Sequence, residues 1–309
     1  MKEKSFNQKI IPHLALTIGM FFWASSFIGF KFALTVYSPF EVVAGRMIIA
    51  TIICSPLLKG LLPILKNPKK RLILIGGILC EPCFYFLFET AALRYTSSAQ
   101  AGMVIAIMPL CVGFCAWLML KEKQRLQTWI GFILAFIGVF WLSFSGESSQ
   151  SAPNPFLGNM LELGAVFCGV FYTLSCRHIT TEISSWVFTA GMALGGALFY
   201  IPLALLPIEV TPVVLDVEIP HWLPFASIIY LGIMVSIAGY GLYNYGVSTL
   251  SATEAGAYVN LIPVITLIIG VYFLEETLTF EQYLASAFIL IGMLLSQITF
   301  KKNNEKKYV

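Results

Sequence analysis

Residues 97–109 read SSAQAGMVIAIMP, and residues 251–263 read SATEAGAYVNLIP. The first serine, the Ala-Gly pair and the proline recur at a constant separation of 154 residues, without a gap. The same offset relates further pairs outside these stretches: Leu120 and Leu274, Glu122 and Glu276, Ile137 and Ile291, and Gly138 and Gly292. Because glycine and proline spacing is harder to match by chance than apolar residues, we interpret this pattern as an internal duplication.

The composition excludes a soluble protein. Of 309 residues, 58% are hydrophobic and 11% are charged, against roughly 45–50% and about 25% in soluble domains. A bilayer-spanning helix needs about 20 apolar residues, so ten spans with short connections use most of the chain. We therefore expect residues 1–309 to form a single membrane domain.

Charges, prolines and glycines delimit ten apolar segments. They lie near 13–34, 39–58, 71–93, 98–119, 127–145, 157–176, 184–206, 222–247, 253–274 and 280–299. The first segment lacks a cleavage site and is interpreted as a retained span rather than a signal peptide. Since five helices per copy turn the second copy upside down, the predicted fold class is all-α integral membrane, with ten transmembrane helices as two inverted five-helix repeats, about 13–145 and about 157–300.

The basic residues set the expected orientation. Most of the 19 Lys and Arg residues fall at the termini and in alternate connections, at Lys2, Lys4, Lys9, Lys59, Lys66, Lys69, Lys70, Arg71, Lys121, Lys123, Arg125, Arg177, Lys301, Lys302, Lys306 and Lys307. The other connections carry Glu147, Glu209, Asp216, Glu218, Glu275, Glu276 and Glu281. By the positive-inside rule, both termini are predicted to be cytoplasmic in a multi-pass protein of the inner membrane. The connection from Ser248 to Glu254 should also be cytoplasmic but has no basic residue.

Ionisable groups within predicted spans are the first candidates for function, because a charge at the bilayer centre is costly unless it faces protein or water. They are Arg46, Glu81, Glu89 and Glu162. In the third segment, helical spacing places Glu81, Tyr85, Phe88 and Glu89 on one side, with Pro82 bending the helix. Two alternatives stay open: Glu81 forms a buried salt bridge with Arg46, and Glu89 lies at the outer interface. Arg46 either fixes helix packing or neutralises a substrate carboxylate, and Lys31 is expected to snorkel to the interface.

Other side chains are candidates for binding a polar solute. Pro109 and Pro263 fall mid-helix at matching positions, where each removes a backbone donor and frees a carbonyl, so we predict helix breaks near a binding site. Each proline alone could be a packed kink. The remaining candidates combine hydroxyl, amide or aromatic groups with a position well inside a span: Trp23, Ser26, Tyr172, Ser236, Tyr240, Tyr243, Asn244 and Asn260.

No signal for catalysis, a cofactor or nucleic acid is found in the sequence. It has no nucleophile elbow, paired metal-binding histidines or phosphate loop. The seven cysteines lie in apolar stretches and are interpreted as core residues. We expect no enzyme activity, no cofactor, no metal and no nucleic-acid partner. The expected partners are a small-molecule solute and the lipid bilayer, and a homodimer remains open.

The sequence resembles the EamA family of the drug/metabolite transporter (DMT) superfamily over nearly the whole chain. The resemblance rests on residues 92–102 (ALRYTSSAQAG) followed by Pro109 and Glu122, on the second copy from Ser251 to Glu276, and on residues 23–27 and 39–46. It implies export or exchange of small metabolites, commonly amino acids or their derivatives. It also implies a central cavity formed by helices one, three, four, six, eight and nine, for which we select Trp23, Glu81, Tyr85, Tyr172, Tyr240, Asn244 and Asn260.

The resulting hypothesis is a secondary transporter that works by alternating access, with the two halves rocking about a midplane site. Glu81 is the leading candidate for proton or cation coupling and Glu89 the second, because a buried carboxylate can exchange protons near neutrality. Import remains possible, since sequence does not give the direction of flux. The alternatives are a non-transporting membrane ligand sensor or scaffold and, less well supported, an intramembrane enzyme.

Overall fold

The computed structural model of the chain describes residues 6–120, 126–145, 149, 152–207, 212–215, 217–250, 255, 258–275 and 278–297. Several positions used above lie outside these residues: Lys2, Lys4, Lys121, Glu122, Lys123, Arg125, Glu147, Glu209, Asp216, Ser251, Glu254, Gly256, Glu276, Lys301, Lys302, Lys306 and Lys307. Within the described ranges, every regular element is helical. The all-α prediction is therefore confirmed for this part of the chain.

The helices follow the predicted apolar segments closely. They are α1 (Phe6–Ala33), α2 (Pro39–Lys66), α3 (Pro68–Ala92), α4 (Ser98–Ile105 and Met108–Leu120), α5 (Leu126–Phe144), α6 (Pro155–Ile179), α7 (Ser185–Ala204), α8 (Leu223–Thr249), α9 (Leu261–Leu274) and α10 (Phe280–Gln297). Of the segments searched, α1, α2, α3, α6, α7 and α8 are long and apolar enough to cross a membrane, whereas the apolar helices α4, α5, α9 and α10 are shorter.

Helix starts are fixed by local capping. Ser38 forms a reciprocal capping box with Glu41 at the start of α2, and the Asn67 side chain accepts from the amides of Lys69 and Lys70 in α3. A proline follows each cap at the first helical position, where its missing N–H costs nothing. The predicted third segment, 71–93, therefore begins too late, because the cap at Asn67 starts the helix among the lysines. The second helix also extends beyond residue 58, through a 3₁₀ stretch, to Lys66.

Apolar side chains cover the outside of the bundle, and polar ones lie within it. Leu72, Leu126 and Phe280 are more than 70% exposed, whereas Arg46 and Glu162 are fully buried. This distribution suits a protein surrounded by lipid, where apolar groups face outward and ionisable groups face protein. Lys31 is also fully buried, so its expected snorkelling is wrong. The segment after α7 crosses the end of α1, with the Val213 amide donating to the Leu34 carbonyl at 2.9 Å.

Helix neighbours occur in matching sets. The α2 helix packs against α7, α4 against α9 and α5 against α10. Among the remaining contacts, α1 packs against α8 and α9, and α6 packs against α3 and α4. The contacts of α1 with α8 and α9 are thus mirrored by the contacts of α6 with α3 and α4, the helices five places away in chain order.

The contact between α5 and α10 repeats this relation at the level of single atoms. A Cβ added at Gly138 would lie 2.9 Å from the carbonyl oxygen of Ala285, and one added at Gly292 would lie 2.6 Å from that of Gly131. Both distances are shorter than real Cβ contacts, so only glycine allows this approach. Residues 131 and 285, like 138 and 292, are separated by the 154-residue offset.

Contacts between helix ends define the two ends of the bundle. At the end named here the His13 end, His13 Nδ1 lies 2.7 Å from the Tyr258 hydroxyl, and Lys70 Nζ lies 2.6 Å from the Glu182 carboxylate. Arg177 donates to two carbonyls at the end of α8. At the opposite end, the Leu34 end, the Asn154 amide donates to the Tyr95 carbonyl at 3.1 Å. Helix ends that the ten-span prediction places on the same side of the membrane are therefore in contact with one another.

Candidate functional site

A break in α3 presents Glu81 to the bundle interior. Pro82 disfavours a helical conformation for the residue before it, and Glu81 has an extended backbone, with φ −144° and ψ 121°. The Glu81 side chain is 2% exposed, and its Oε1 accepts a hydrogen bond from the Tyr240 hydroxyl on α8. Pro82 thus does more than bend the helix, because it also takes the backbone of Glu81 out of helical geometry.

A π-helical stretch in α8, Leu231–Gly239, faces this break. Within it the Ser236 hydroxyl donates to the Leu231 carbonyl, five residues earlier, at 2.9 Å. The same hydroxyl accepts from Nε of Arg46 at 2.8 Å. Wider π turns often occur at functional sites. Here the turn positions an acceptor for a buried arginine from α2.

The guanidinium of Arg46 is held between two aromatic rings. Its central carbon lies 4.4 Å from the ring centre of Phe86 and 5.2 Å from that of Phe30. The side chain is fully buried, and its Nη1 and Nη2 have no hydrogen-bond partner among the described residues. In the same part of the chain, it forms no ion pair with Glu81 or Glu89. The alternative of an Arg46–Glu81 salt bridge is therefore not what the structure shows.

These groups line one cavity inside the bundle. Its wall combines charged, aromatic and apolar side chains from α1, α2, α3, α4, α8 and α9, namely Trp23, Ser26, Phe27, Arg46, Glu81, Tyr85, Phe86, Glu89, Ile105, Met108, Val235, Tyr240 and Ile262. The indole nitrogen of Trp23 is buried and has no partner within the described residues. In this conformation the cavity has a free volume of about 20 Å³, which is room for about one water molecule. Its wall combines apolar surface with a few converging polar groups, as the walls of small-molecule sites do.

Two further carboxylates lie on the Leu34 side of Glu81. Glu89 is 2% exposed, so its predicted alternative position at the interface is wrong. Its Oε1 accepts from the Tyr85 hydroxyl at 3.1 Å, while its Oε2 has no partner in the described ranges. Glu162 of α6 is an electrostatic neighbour of Glu89, is fully buried, and has two oxygens that likewise lack a described partner. We name Arg46, Glu81, Glu89 and Glu162 the charged layer.

On the His13 side, the cavity is bounded by a hydrogen-bonded layer. The Tyr172 hydroxyl donates to Asn244 Oδ1, and Asn244 Nδ2 donates to the Thr189 hydroxyl at 2.9 Å. The hydroxyls of Thr173 and Tyr243 lie 3.2 Å apart. These five residues form what we name the tyrosine layer. Trp23 joins it to the cavity, since its ring centre is 4.5 Å from that of Tyr243 and 4.8 Å from that of Tyr240.

The helix containing Pro109 is interrupted beside the cavity. The amides of Ala106 and Ile107 bond three residues back, to Met103 and Val104, at 3.2 Å each. Helix geometry resumes at residue 108, one position before the proline. The cavity-lining residues of α4, at 105 and 108, flank this interruption.

The matching proline, Pro263, lies in the first described turn of α9, which follows the turn residue Asn260. Asn260 is half-buried, and its Oδ1 has no partner among the residues described. Close by, α4 and α9 cross tightly, because a Cβ added at Gly102 would lie 1.9 Å from the hydroxyl oxygen of Thr266. Both proline-containing segments therefore border the cavity region.

The structure brings together four of the selected residues, Trp23, Glu81, Tyr85 and Tyr240, in the cavity wall. The other three lie outside the wall, because Tyr172 and Asn244 bond to each other in the tyrosine layer and Asn260 precedes the lining turn of α9. Phe88 does not join the Glu81 stripe, since its ring packs against Gly164 of α6.

The selection from the sequence missed the contribution of α2 and the aromatic rings around Arg46. The signal available for Arg46 was its charge within a span. Phe30 and Phe86 had no distinguishing signal, because phenylalanine is common throughout the chain, which contains 25. Their contact with Arg46 depends on the packing of α1, α2 and α3.

Comparison with known proteins identifies relatives of this architecture. The chain is 27% identical to the uncharacterized transporter YetK of Bacillus subtilis, over 70% of this chain and 66% of YetK, just under two thirds of that relative. It is 26% identical to the uncharacterized transporter YcxC of Bacillus subtilis, over 97% of both chains. An uncharacterized transporter of Archaeoglobus fulgidus is 26% identical over 92% of this chain and 96% of its own.

A solved crystal structure shares the fold. It superposes with a TM-score of 0.63 at 20% identity, covering 95% of this chain and 98% of that chain. The model of the EamA-like transporter family matches twice, over residues 10–144 and 156–297. The relatives and the family are transporters, which points away from enzyme activity. The resemblance noted in the sequence is confirmed, and this multi-pass membrane protein belongs to the EamA-like transporter family.

Proposed function

We propose that the protein is a secondary transporter that exports small metabolites, such as amino acids or their derivatives, by alternating access. The observation that carries the proposal is the cavity, in which Trp23, Arg46, Glu81 and Tyr240 converge from four helices. Charges at this depth are costly, and where a membrane protein retains them they commonly mark a solute or proton pathway. A wall that mixes them with aromatic rings can bind solutes that have both polar and apolar parts.

The proposed architecture is ten spans in two inverted five-helix repeats, about 13–145 and about 157–300. Three findings support it: the family model matches each half separately, the helix contacts mirror one another, and Gly138 and Gly292 make reciprocal contacts at the 154-residue offset. Inverted repeats give a transporter two related conformations that face opposite sides. The broken segments at Pro109 and Pro263 would lie at the interface of the repeats.

The proposed location is the inner membrane. In the proposed orientation, the His13 end and both termini face the cytoplasm. The basic residues support this orientation, because Lys66, Lys69, Lys70, Arg71 and Arg177 all belong to connections or helix ends at the His13 end. The small-molecule solute and the lipid bilayer are the proposed partners.

Glu81 is the proposed coupling residue, with Glu89 second. Both carboxylates are buried, lie in the cavity wall, and accept a tyrosine hydroxyl, from Tyr240 and Tyr85 respectively. A carboxylate in such a place can take up a proton from one side and release it to the other as the cavity changes exposure. Export would then be driven by inward proton movement.

The test is solute counterflow in proteoliposomes containing the purified protein. Amino acids, nucleosides and metabolite pools are first screened for thermal stabilisation, and each stabilising compound is then tested for exchange. Transport predicts saturable exchange. Proton coupling through Glu81 predicts in addition that transport driven by an imposed pH gradient falls at least about tenfold in Glu81→Gln, whereas Glu281→Gln, at an exposed position near the start of α10, should match the parent protein.

Stabilisation without any exchange would favour the ligand sensor or scaffold and contradict transport. Exchange that responds neither to an imposed pH gradient nor to Glu81→Gln would remove proton coupling while keeping the transporter. Accumulation into inside-out vesicles, compared with right-side-out vesicles, gives the direction of flux.

A further inference from the structure

We infer that the outside of the bundle carries a binding site for one acyl chain of a membrane phospholipid, in a groove between α1, α8 and α9. The groove, named here the α1–α8 groove, has a free volume of about 390 Å³, and its lining includes Phe21, Ser25, Phe32, Ala226, Tyr230 and Phe273. The site is additional to the central cavity, and the inference does not depend on the proposed function.

The first step is that the groove is separate from the central cavity. Trp23, Ser26 and Phe27 of α1 line the cavity, whereas Phe21 and Ser25 of the same helix line the groove. At 3.6 residues per turn, these two sets lie on opposite faces of α1. The helix is therefore the wall between them, and an occupant of the groove contacts α1 from the outside.

The second step concerns size and access. An apolar cavity of about 150 Å³ binds benzene, so the 390 Å³ of the groove admits a longer hydrocarbon. The rings of Phe21 and Phe273 are 51% and 57% exposed, which opens the groove toward the surroundings of the bundle. In a membrane those surroundings are acyl chains. A chain that lies between the walls gains dispersion contacts with both of them.

The third step is that the groove matches one leaflet in length and depth. From Phe21 to Phe32, α1 rises about 17 Å at 1.5 Å per residue, and half of the hydrocarbon core is about 15 Å thick. Phe21 lies at the middle of the apolar span Ile10–Ala33, and Phe32 lies at its Leu34 end. The groove therefore extends from the membrane surface to the midplane, as an acyl chain of that leaflet does.

The mouth of the groove lies where a lipid headgroup is expected. Leu223, the first residue of α8, belongs to the lining, and the preceding residue, Trp222, is 66% exposed. Tryptophan is enriched at the level of the headgroups, where its ring meets both lipid and water. The bound lipid would thus have its headgroup beside Trp222 and its chain directed toward Phe21.

The polar atoms of the groove favour a hydrocarbon over a polar solute. The Ser25 hydroxyl donates to the Phe22 carbonyl at 2.9 Å and lies 2.6 Å from the Tyr230 hydroxyl. Because these two hydroxyls bond to each other, neither requires a partner from a ligand. An acyl chain, which has no hydrogen-bonding groups, suits such a wall.

A chain in the groove would contact both halves of the protein. The helix α1 belongs to the first region matched by the family model, 10–144, whereas α8 and α9 belong to the second, 156–297. A ligand that binds the folded protein stabilises it by mass action. Occupation of the groove should therefore raise the stability of this arrangement of the two halves.

The experiment is photolabelling of the unmodified protein in digitonin, a detergent without an acyl chain. Phosphatidylcholine with a diazirine at the end of one chain is added at a low ratio to protein, and mass spectrometry identifies the labelled residues. We expect labelling around Phe21 at least about fivefold above that of Leu198, which is 66% exposed on α7. Unlabelled phosphatidylcholine should displace it. With the diazirine next to the headgroup, labelling should move to Phe32 and Leu223.

Ala226→Phe gives the second measurement, because the larger side chain fills the groove while keeping its wall apolar. Labelling around Phe21 should fall at least about fivefold, and the thermal stabilisation that phosphatidylcholine gives the parent protein should fall with it. Ile229→Phe is the control. This residue is 39% exposed on α8 but does not line the groove, so both signals should persist.

Labelling around Phe21 no stronger than at Leu198, or labelling that unlabelled lipid does not displace, would overturn the inference. Unchanged labelling in Ala226→Phe would also overturn it. An unlabelled groove in a protein that light scattering shows to be a dimer, and that becomes a monomer in Ala226→Phe, would identify a second copy as the occupant instead. Because saturation and depth are measured on the unmodified protein, the test does not depend on a variant folding.

Discussion

The charged layer and the tyrosine layer are neighbours in the same bundle and are equally buried, but their polar atoms differ in their partners. In the tyrosine layer, Asn244 bonds to Tyr172 and Thr189. In the charged layer, both oxygens of Glu162 and both Nη groups of Arg46 have no partner within the described residues. Buried polar groups normally find partners. The two layers therefore differ in the number of polar atoms that remain available to a ligand or a proton.

The largest change in stability is expected from Asn244→Ala in the tyrosine layer. The change removes the partner of Tyr172 and Thr189 and leaves a void in a fully buried layer, so the free energy of unfolding should fall by about 1–3 kcal/mol. Thermal or denaturant unfolding in detergent measures it. Asn260→Ala is the matched control, because its Oδ1 has no partner among the described residues, and it should change stability by less than half as much. Equal losses would show that the hydrogen bonds of the tyrosine layer contribute little.

A smaller effect of opposite sign is expected from Glu162→Gln. Because neither carboxylate oxygen has a described donor, a neutral amide of the same size should leave the free energy of unfolding unchanged or raise it by about 1 kcal/mol. The same unfolding assay tests this, with the exposed Glu281→Gln as control. A clear loss of stability would mean that the Glu162 carboxylate is engaged structurally, and the contrast between the layers would be lost.

The smallest effect is expected at the His13 end, from Lys70→Gln. Lys70 and Glu182 form an ion pair at 2.6 Å, but their side chains are 32% and 40% exposed. Such pairs contribute about 0.2–1 kcal/mol and are weakened by salt. The difference in the free energy of unfolding between Lys70→Gln and the parent protein should therefore be smaller at high ionic strength than at low ionic strength. A loss as large as that of Asn244→Ala would place this end of the bundle among the main contributors to stability.

The sequence was sufficient for the order and approximate extent of the helical segments, because the bilayer demands long apolar stretches. It did not give the start of α3, which the Asn67 cap places at Pro68 and not at residue 71. It was less reliable for the side chains that face one another. Glu81 was identified from its charge within a span. Its extended backbone, which Pro82 favours in the residue before it, was not predicted. That Arg46 would stack on Phe86 and Phe30 instead of pairing with Glu81 depends on how α1, α2 and α3 pack.

The tyrosine layer also contains contacts that could not be predicted from residue type. Tyr172 and Asn244 were chosen because hydroxyl and amide groups within a span can bind a solute. The sequence could not reveal that these two groups bind each other. Residue type gives the capacity for a contact, whereas the partner is decided by the arrangement of α6 and α8.

The buried charges in the cavity wall also bear on the energy available for transport. A membrane potential of 100 mV acts with about 2.3 kcal/mol on each elementary charge that crosses. A solute without net charge is neither driven nor opposed by this voltage. Any electrical current that accompanies transport of such a solute would come from coupled ions, and its ratio to the solute flux would give their number per transport cycle.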